Sequence, residues 1–225
     1  MTSVQSVFSR DYNILDFGAK SDTVINSTEA INNAIDACYK VGGGRVIIPT
    51  GMYKSGTIFL KSNTELHFER GSFLYASTNH EDFPKHEFLT YRSQKDTYGW
   101  HALIYAEGQN NIAVTGSGTI DGQGAKQIPR KDYGGGDIDG RPRNILFISC
   151  SNVKVSGIRM YNSGIWNQHY LDCEDMFVNG LYVYNHSNRN NDGIDIDGCR
   201  RLVMSDCIID SDDDGIVLKS TGSAP

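Results

Sequence analysis

The chain has 225 residues, 39% of them hydrophobic and 21% charged, which excludes a disordered polymer and allows one large domain or two small ones. Its formal net charge is −6, from 21 basic and 27 acidic residues with no basic run, so no nucleic acid is expected as partner; no apolar stretch reaches the roughly 18 residues of a membrane span. Gly is abundant at 24 and Pro scarce at 5, as suits a turn-rich β protein, and the five scattered cysteines form neither a disulfide framework nor a C-x-x-C zinc pair.

From the N-terminus, Met1 to Ser6 show no charged start before an apolar stretch, so no leader is legible. The first predicted element is a helix over 26–41. Asn26-Ser27-Thr28-Glu29 reads as a capping box with Asn26 as N-cap. Ala30, Ile31, Ala34, Ile35 and Cys38 then share one face. Gly42-Gly43-Gly44 stops the helix, and Arg45 to Pro49 forms the first strong strand. A weak repeat unit, Asn111-Ile112-Ala113-Val114, comes next, followed by a Gly/Asp-rich insertion from Asp121 to Arg143.

Beyond the insertion the chain repeats itself. Cys150-x-x-Val153-x-Val155-x-x-Ile158 matches Cys173-x-x-Met176-x-Val178-x-x-Leu181 and Cys199-x-x-Leu202-x-Met204-x-x-Cys207, with starts 23 and 26 residues apart. Such periods mark a solenoid, and the short alternating apolar runs are strands. One unit cannot bury its own apolar face, so units stack. The fold expected is all-β: a right-handed parallel β-helix with a short N-terminal capping helix. It forms a single domain over 1–225, with coils clearest over 100–220. The repeated cysteines stack inward as packed thiols, and the helix covers one open sheet edge. Nothing comparable follows the apolar strand Ile216-Val217-Leu218, so the chain reads as incomplete at its C-terminus.

Two acidic motifs close the chain: Asn190-Asn191-Asp192-Gly193 and Asp212-Asp213-Asp214-Gly215. Asp192 and Asp213 stand 213 − 192 = 21 positions apart, close to one coil, so stacking brings their carboxylates together. Glycosidic cleavage needs such carboxylates: one protonated at the leaving oxygen, another to activate water. Adjacent strand residues point to opposite faces, so Asp213 and Asp214 share a cleft only at a bend, which Gly215 permits. Asp206, Asp210 and Asp212 read as turn caps. His186 and Arg189 flank the first motif in a polar run, Asn185 to Asn191, that looks like a cleft loop, and Arg189 could pair with a uronate carboxylate. His101 reads as structural, and Tyr182 and Tyr184 alternate as strand residues do.

Several segments resemble the polygalacturonase family of glycoside hydrolases (family 28, pectin-degrading). They are Tyr12 to Lys20, Gly42 to Gly51, Gly56 to Asn63, Gly116 to Gly124, Arg141-Pro142-Arg143-Asn144, and the two acidic motifs through Lys219. The resemblance implies a right-handed parallel β-helix and inverting hydrolysis of bonds to galacturonic acid. By position it makes Asp213 the general acid, with Asp192 and Asp214 holding and deprotonating the water. Asn191 stands where the family usually has Thr. Asn190, Arg189, Lys219 and His169 are the candidate substrate contacts. His169 and Trp166 lie in a family-like segment one coil before the site, where Trp166 reads as packing. A Gly-His-Gly turn and an Arg-x-Lys pair that the family carries after the second acidic motif would lie beyond Pro225. Without that Arg-x-Lys, a neutral sugar at the cleavage site stays open. No cofactor or metal is required by acid–base chemistry. The expected partner is a pectic polysaccharide or oligogalacturonide, met in a secreted or periplasmic setting, and the oligomeric state is not set. The insertion Gln127 to Gly140 could close one end of the cleft and favour exo action. Two other functions stay open: a calcium-dependent pectate lyase with Lys219 as base, and a non-catalytic β-helix that binds glycans.

Overall fold

The computed structural model describes residues 11–84, 101–129 and 140–221. Their strands form three parallel sheets of seven, seven and six strands. Each coil contributes one strand to each sheet in turn, as Ile194–Asp197, Arg200–Ser205 and Ile208–Ser211 do before Ile216–Lys219 returns to the first. We call these sheet C, sheet A and sheet B in that order. The winding is that of a right-handed parallel β-helix.

The repeat predicted from the cysteines is the register of sheet A. Ile112, Val153, Met176 and Leu202 pair across successive strands, as do Val114, Val155, Val178 and Met204. Alternate residues point inward, so these columns form the core. Burying each side chain contributes about 1.5–3 kcal/mol. Cys150 and Cys173 are buried, Cys199 and Cys207 partly so, and all are free thiols, as expected of a packed column.

The helix runs Thr28–Lys40 and buries Ala30, Ile31, Ala34, Ile35 and Cys38, the face read from the sequence. Its start differs from the expected one. Ser27 occupies the N-cap position without a side-chain cap, and Asn26 accepts from the Thr28 N–H at 2.9 Å from one residue further out. Asn26 leads directly out of the strand Asp22–Asn26, which holds it extended and outside the helix. The lid role is concrete at Asn32. Its carboxamide donates to the Thr57 carbonyl (3.0 Å) and accepts from the Phe59 N–H (2.9 Å). These groups lie at and just before the outermost strand of sheet C, Ile58–Phe59, so one side chain supplies what a further strand would.

Candidate active site

The first acidic motif sits in the connection from sheet B to sheet C, between strands Tyr182–Asn185 and Ile194–Asp197. Asn191 organises it from inside. Its Oδ1 accepts the backbone N–H of Ser187 (2.8 Å) and of Asn188, and its Nδ2 donates to the carbonyls of Ser163 and Ile165, both at 3.0 Å. A carboxamide can serve both sides at once, whereas a threonine hydroxyl has one proton to give. Asn185 donates to the Asp192 carbonyl at 2.8 Å. Arg141, fully buried, reaches across to the carbonyls of Gly164 (3.0 Å) and Arg189 (2.6 Å) and to Oδ1 of Asn188 and of Asn190, each 3.3 Å.

The second motif is the bend between Ile208–Ser211 and Ile216–Lys219. Asp213 and Asp214 therefore escape strand alternation. The two motifs dock backbone to backbone: Gly193 N–H donates to the Asp214 carbonyl (2.8 Å) and Ile194 N–H to that of Gly215 (3.0 Å). A Cβ on Gly193 would lie 2.4 Å from the Gly215 carbonyl oxygen, so glycine is required there. The result is that one carboxylate oxygen from each of Asp192, Asp213 and Asp214 lies within 4.8 Å of the others.

The members differ in solvent. Asp192 is 6% exposed, and its Oδ1 has no hydrogen-bond partner among the described residues, whereas Asp213 and Asp214 are exposed. Burial first, then the charges of Asp195 and Asp213, push the Asp192 carboxyl up to about 7, with Lys219 pulling the other way. Two oxygens that each hold one water at about 2.8 Å can stand up to about 5.6 Å apart, so the trio has room for a shared water.

Beneath the trio lies a charged layer on the outer face of sheet C. Asp195 is fully buried and ion-paired with the Lys219 ammonium. Burial pushes it up to about 6 against the pull of Lys219 and Arg143. Asp197 is held below the usual carboxylate range: burial would raise it, but the facing His169, 3.8 Å away, and hydrogen bonds from Thr221 outweigh that. His169 is buried and pushed down to about 4 chiefly by that burial, so its ring is neutral near pH 7. Trp166 closes the layer. Lys219 Nζ sits 3.5 Å from its ring centroid, Arg143 5.0 Å away, and His169 meets it edge-on at 5.1 Å. Trp166 is a packing residue, 9% exposed.

The structure thus brings Asp192, Asp213 and Asp214 together. Arg189 and Asn190 stand exposed at the tip of the same connection. His169 and Lys219 lie lower: their charged or polar ends face Asp197, Asp195 and Trp166. Of the insertion, residues 130–139 lie outside the described residues; Gln127 is buried and donates to the carbonyls of Ser77 (2.9 Å) and Gly122 (3.0 Å). Arg141, Asn185 and Asp195 were not anticipated as site residues. Only Asp195 carried a signal, since Ile194-Asp195-Ile196-Asp197 alternates and puts both carboxylates on one face.

Known proteins resemble this chain in sequence and fold. The chain is 29% identical over 216 residues to a protein of Vitis vinifera described as a "Probable polygalacturonase", covering 92% of this chain and 44% of that protein. It is 32% identical over 166 residues to an exo-poly-alpha-D-galacturonosidase of Dickeya chrysanthemi, covering 69% of this chain and 26% of that one. It therefore spans less than half the length of either relative. Its fold superposes on a hyperthermoactive exopolygalacturonase from Thermotoga maritima with a TM-score of 0.77 at 28% identity, covering 96% of this chain and 56% of that one. The pattern of glycosyl hydrolases family 28 matches residues 38–224, a span that holds both acidic motifs, and the chain belongs to that family.

Proposed function

We propose that this protein hydrolyses glycosidic bonds in pectin-type polysaccharides, with inversion at the anomeric carbon. The observation that carries hydrolysis is the meeting of three carboxylates from neighbouring coils, one of them holding its proton up to about pH 7; inversion rests on the family resemblance, since the oxygens lie closer than the ~6.5–9.5 Å usual for inverting pairs. In the reaction a carboxyl gives its proton to the glycosidic oxygen as the C1–O bond breaks. Water attacks C1 from the opposite side and gives its own proton to a second carboxylate. Net, one water is added and two sugar fragments leave. Asp213 is the acid by its position in the second acidic motif; Asp192 and Asp214 hold the water. In the free site the retained proton rests on the buried Asp192. A sugar seated between the motifs displaces their water, and the proton passes from Asp192 through Asp213 to the leaving oxygen.

Exo action fits the two exo-acting relatives named above. Pectic polymers are too large to import, so the protein works outside the cytoplasm. The lyase alternative is disfavoured by Lys219, whose ammonium is already engaged by Asp195 and the Trp166 ring.

Reducing-sugar release from polygalacturonate, with proton NMR of the first-formed anomer, tests the proposal. Hydrolysis with the inverted anomer, insensitive to EDTA and reduced about 10²–10⁴-fold in Asp213→Asn, is expected. Unsaturated products that vanish with chelator would establish the lyase instead.

A further inference from the structure

The outer face of sheet B carries chemistry that the trio does not use. Lys54, Tyr75, Asp121, Tyr161, Tyr184 and Asp210 occupy one register column across six successive strands. Strands lie about 4.8 Å apart, so the column is a ladder of aromatic rings interrupted by a carboxylate. Tyr161 and Tyr184 have ring centroids 6.2 Å apart, and His186 continues the line 4.5 Å from Tyr184. Beside Asp121 opens a cavity of about 280 Å³ lined by Tyr75, Asp121, Gln123, Lys126, Asn162 and Ser187.

This cavity is built rather than incidental. Gln123 has φ 49°, a left-handed backbone that a side-chain-bearing residue adopts at a cost. It is held there by its N–H to Asp121 Oδ1 (2.8 Å) and its Nε2 to the Ala76 carbonyl (2.6 Å). Gly124 forms the floor, where a Cβ would fall 2.1 Å from the Ser163 carbonyl oxygen. Lys126 is steered by Gln123 Oε1 at 2.8 Å. One Asp121 oxygen takes the Gln123 N–H, and Asn162 lines the same cavity. A pre-shaped wall with an aromatic face, an acceptor carboxylate, a carboxamide that both gives and accepts, and an ammonium matches a pyranose ring. The ring's C–H face packs on tyrosine and its paired hydroxyls bond the edge groups.

We propose that this cavity is a second carbohydrate-binding site, taking one uronate residue of a polysaccharide chain. Tyr75 packs on the ring, Asp121 and Asn162 bond its hydroxyls, and Lys126 meets its carboxylate. The choice of a uronate rests on the pectic reading above; the site itself does not. It is distinct from the trio, whose supporting groups Asp195, Lys219 and Trp166 line sheet C. Ser187 joins the two: it lines the cavity, and its N–H bonds Asn191 in the first acidic motif. A polymer held here stays on the protein beside the cleavage site.

The test is calorimetric titration with trigalacturonate in an Asp213→Asn background, where the probe is not consumed. Two sites per chain are expected. Asp121→Asn and Tyr75→Ala should each weaken one site at least tenfold and leave the other unchanged, with circular dichroism verifying the fold; Lys126→Ala, at an exposed position, provides the same readout if Tyr75→Ala fails to fold. One site lost on Asp121→Asn supports the cavity and counts against trigalacturonate in the cleft. One site indifferent to all three substitutions, or no binding at all, overturns the proposal.

Discussion

Of the three corners that turn the chain between sheets, two behave in opposite ways. From sheet C to sheet A, the corner recurs with the same backbone in four successive coils. Left-handed residues come in pairs three apart: Gly108 and Asn111, Ser149 and Asn152, Asp172 and Asp175, Gly198 and Arg201. The side chains there bond their counterparts one coil away, as Asn152 does to Asn111 at 2.6 Å. From sheet B to sheet C no two connections match: Tyr161 leads to Gln168, Asn185 to Ile194, and Ser211 to Ile216. All three proposed catalytic carboxylates sit in this second kind. Regular corners make the solenoid; the irregular ones make the site.

The sharpest way to break this contrast is at the trio. Asp192→Asn should cut turnover about 10²–10⁴-fold and yet stabilise the fold above pH 7. The sign follows from linkage. A carboxyl raised to about 7 in the folded state binds more protons than the unfolded chain between about pH 4 and 7, so its ionisation costs stability as pH rises through that window. A melting temperature that falls in Asp192→Asn at pH 8 would show that the carboxylate is a structural member. Next comes Arg141→Met. It strands the buried carbonyl of Gly164 and the part-buried one of Arg189, at roughly 1–3 kcal/mol for the buried one and less for the other, so urea unfolding should register about 3 kcal/mol, with activity falling in parallel. A loss below about 1 kcal/mol with turnover intact would remove Arg141 from the account.

The regular corner should respond less. Asn152→Ala puts an alanine at φ 51° and should cost about 1 kcal/mol without changing turnover; a change in turnover would mean that the two kinds of corner are coupled. The smallest effect is expected at His186. Its ring nitrogens contact Asp212 (2.6 Å) and Asp210 (2.7 Å), and those bonds raise its pKa. The stabilisation is fully present below the unfolded value near 6.5 and is lost as pH rises through the higher folded value. The melting difference between the protein and His186→Asn should therefore shrink on going from pH 6 to pH 9. A difference constant with pH would assign it to packing.

The legible and illegible parts of the chain divide along the same line. The coil was readable because Val153, Met176 and Leu202 repeat a pattern that only stacking satisfies. The meeting of the acidic motifs was readable because their separation equals a coil. The helix face was legible, but its start was displaced by one residue, since the preceding strand holds Asn26 outside the helix. Arg141 was not legible as a buried anchor, because a lone arginine in a loop carries no periodic sign of burial. Lys219 and His169 were legible as neighbours of the site. Their depth was not, since it depends on Trp166 and Asp195 arriving from other coils.

The docking of Gly193 on Gly215 has a consequence for how such a protein can change. Adding or removing a whole coil before Ala102, clear of the groups that hold the acidic motifs, is a translation along the axis by one strand spacing; it alters the length of the surface a polymer meets and leaves the geometry between Asp192 and Asp213 untouched. Adding a single residue inside one of the strands between Gly193 and Asp212 shifts its register by one and turns its side chains to the other face. Length is therefore free to drift in units of a coil, while the strands between the two aspartates keep their register.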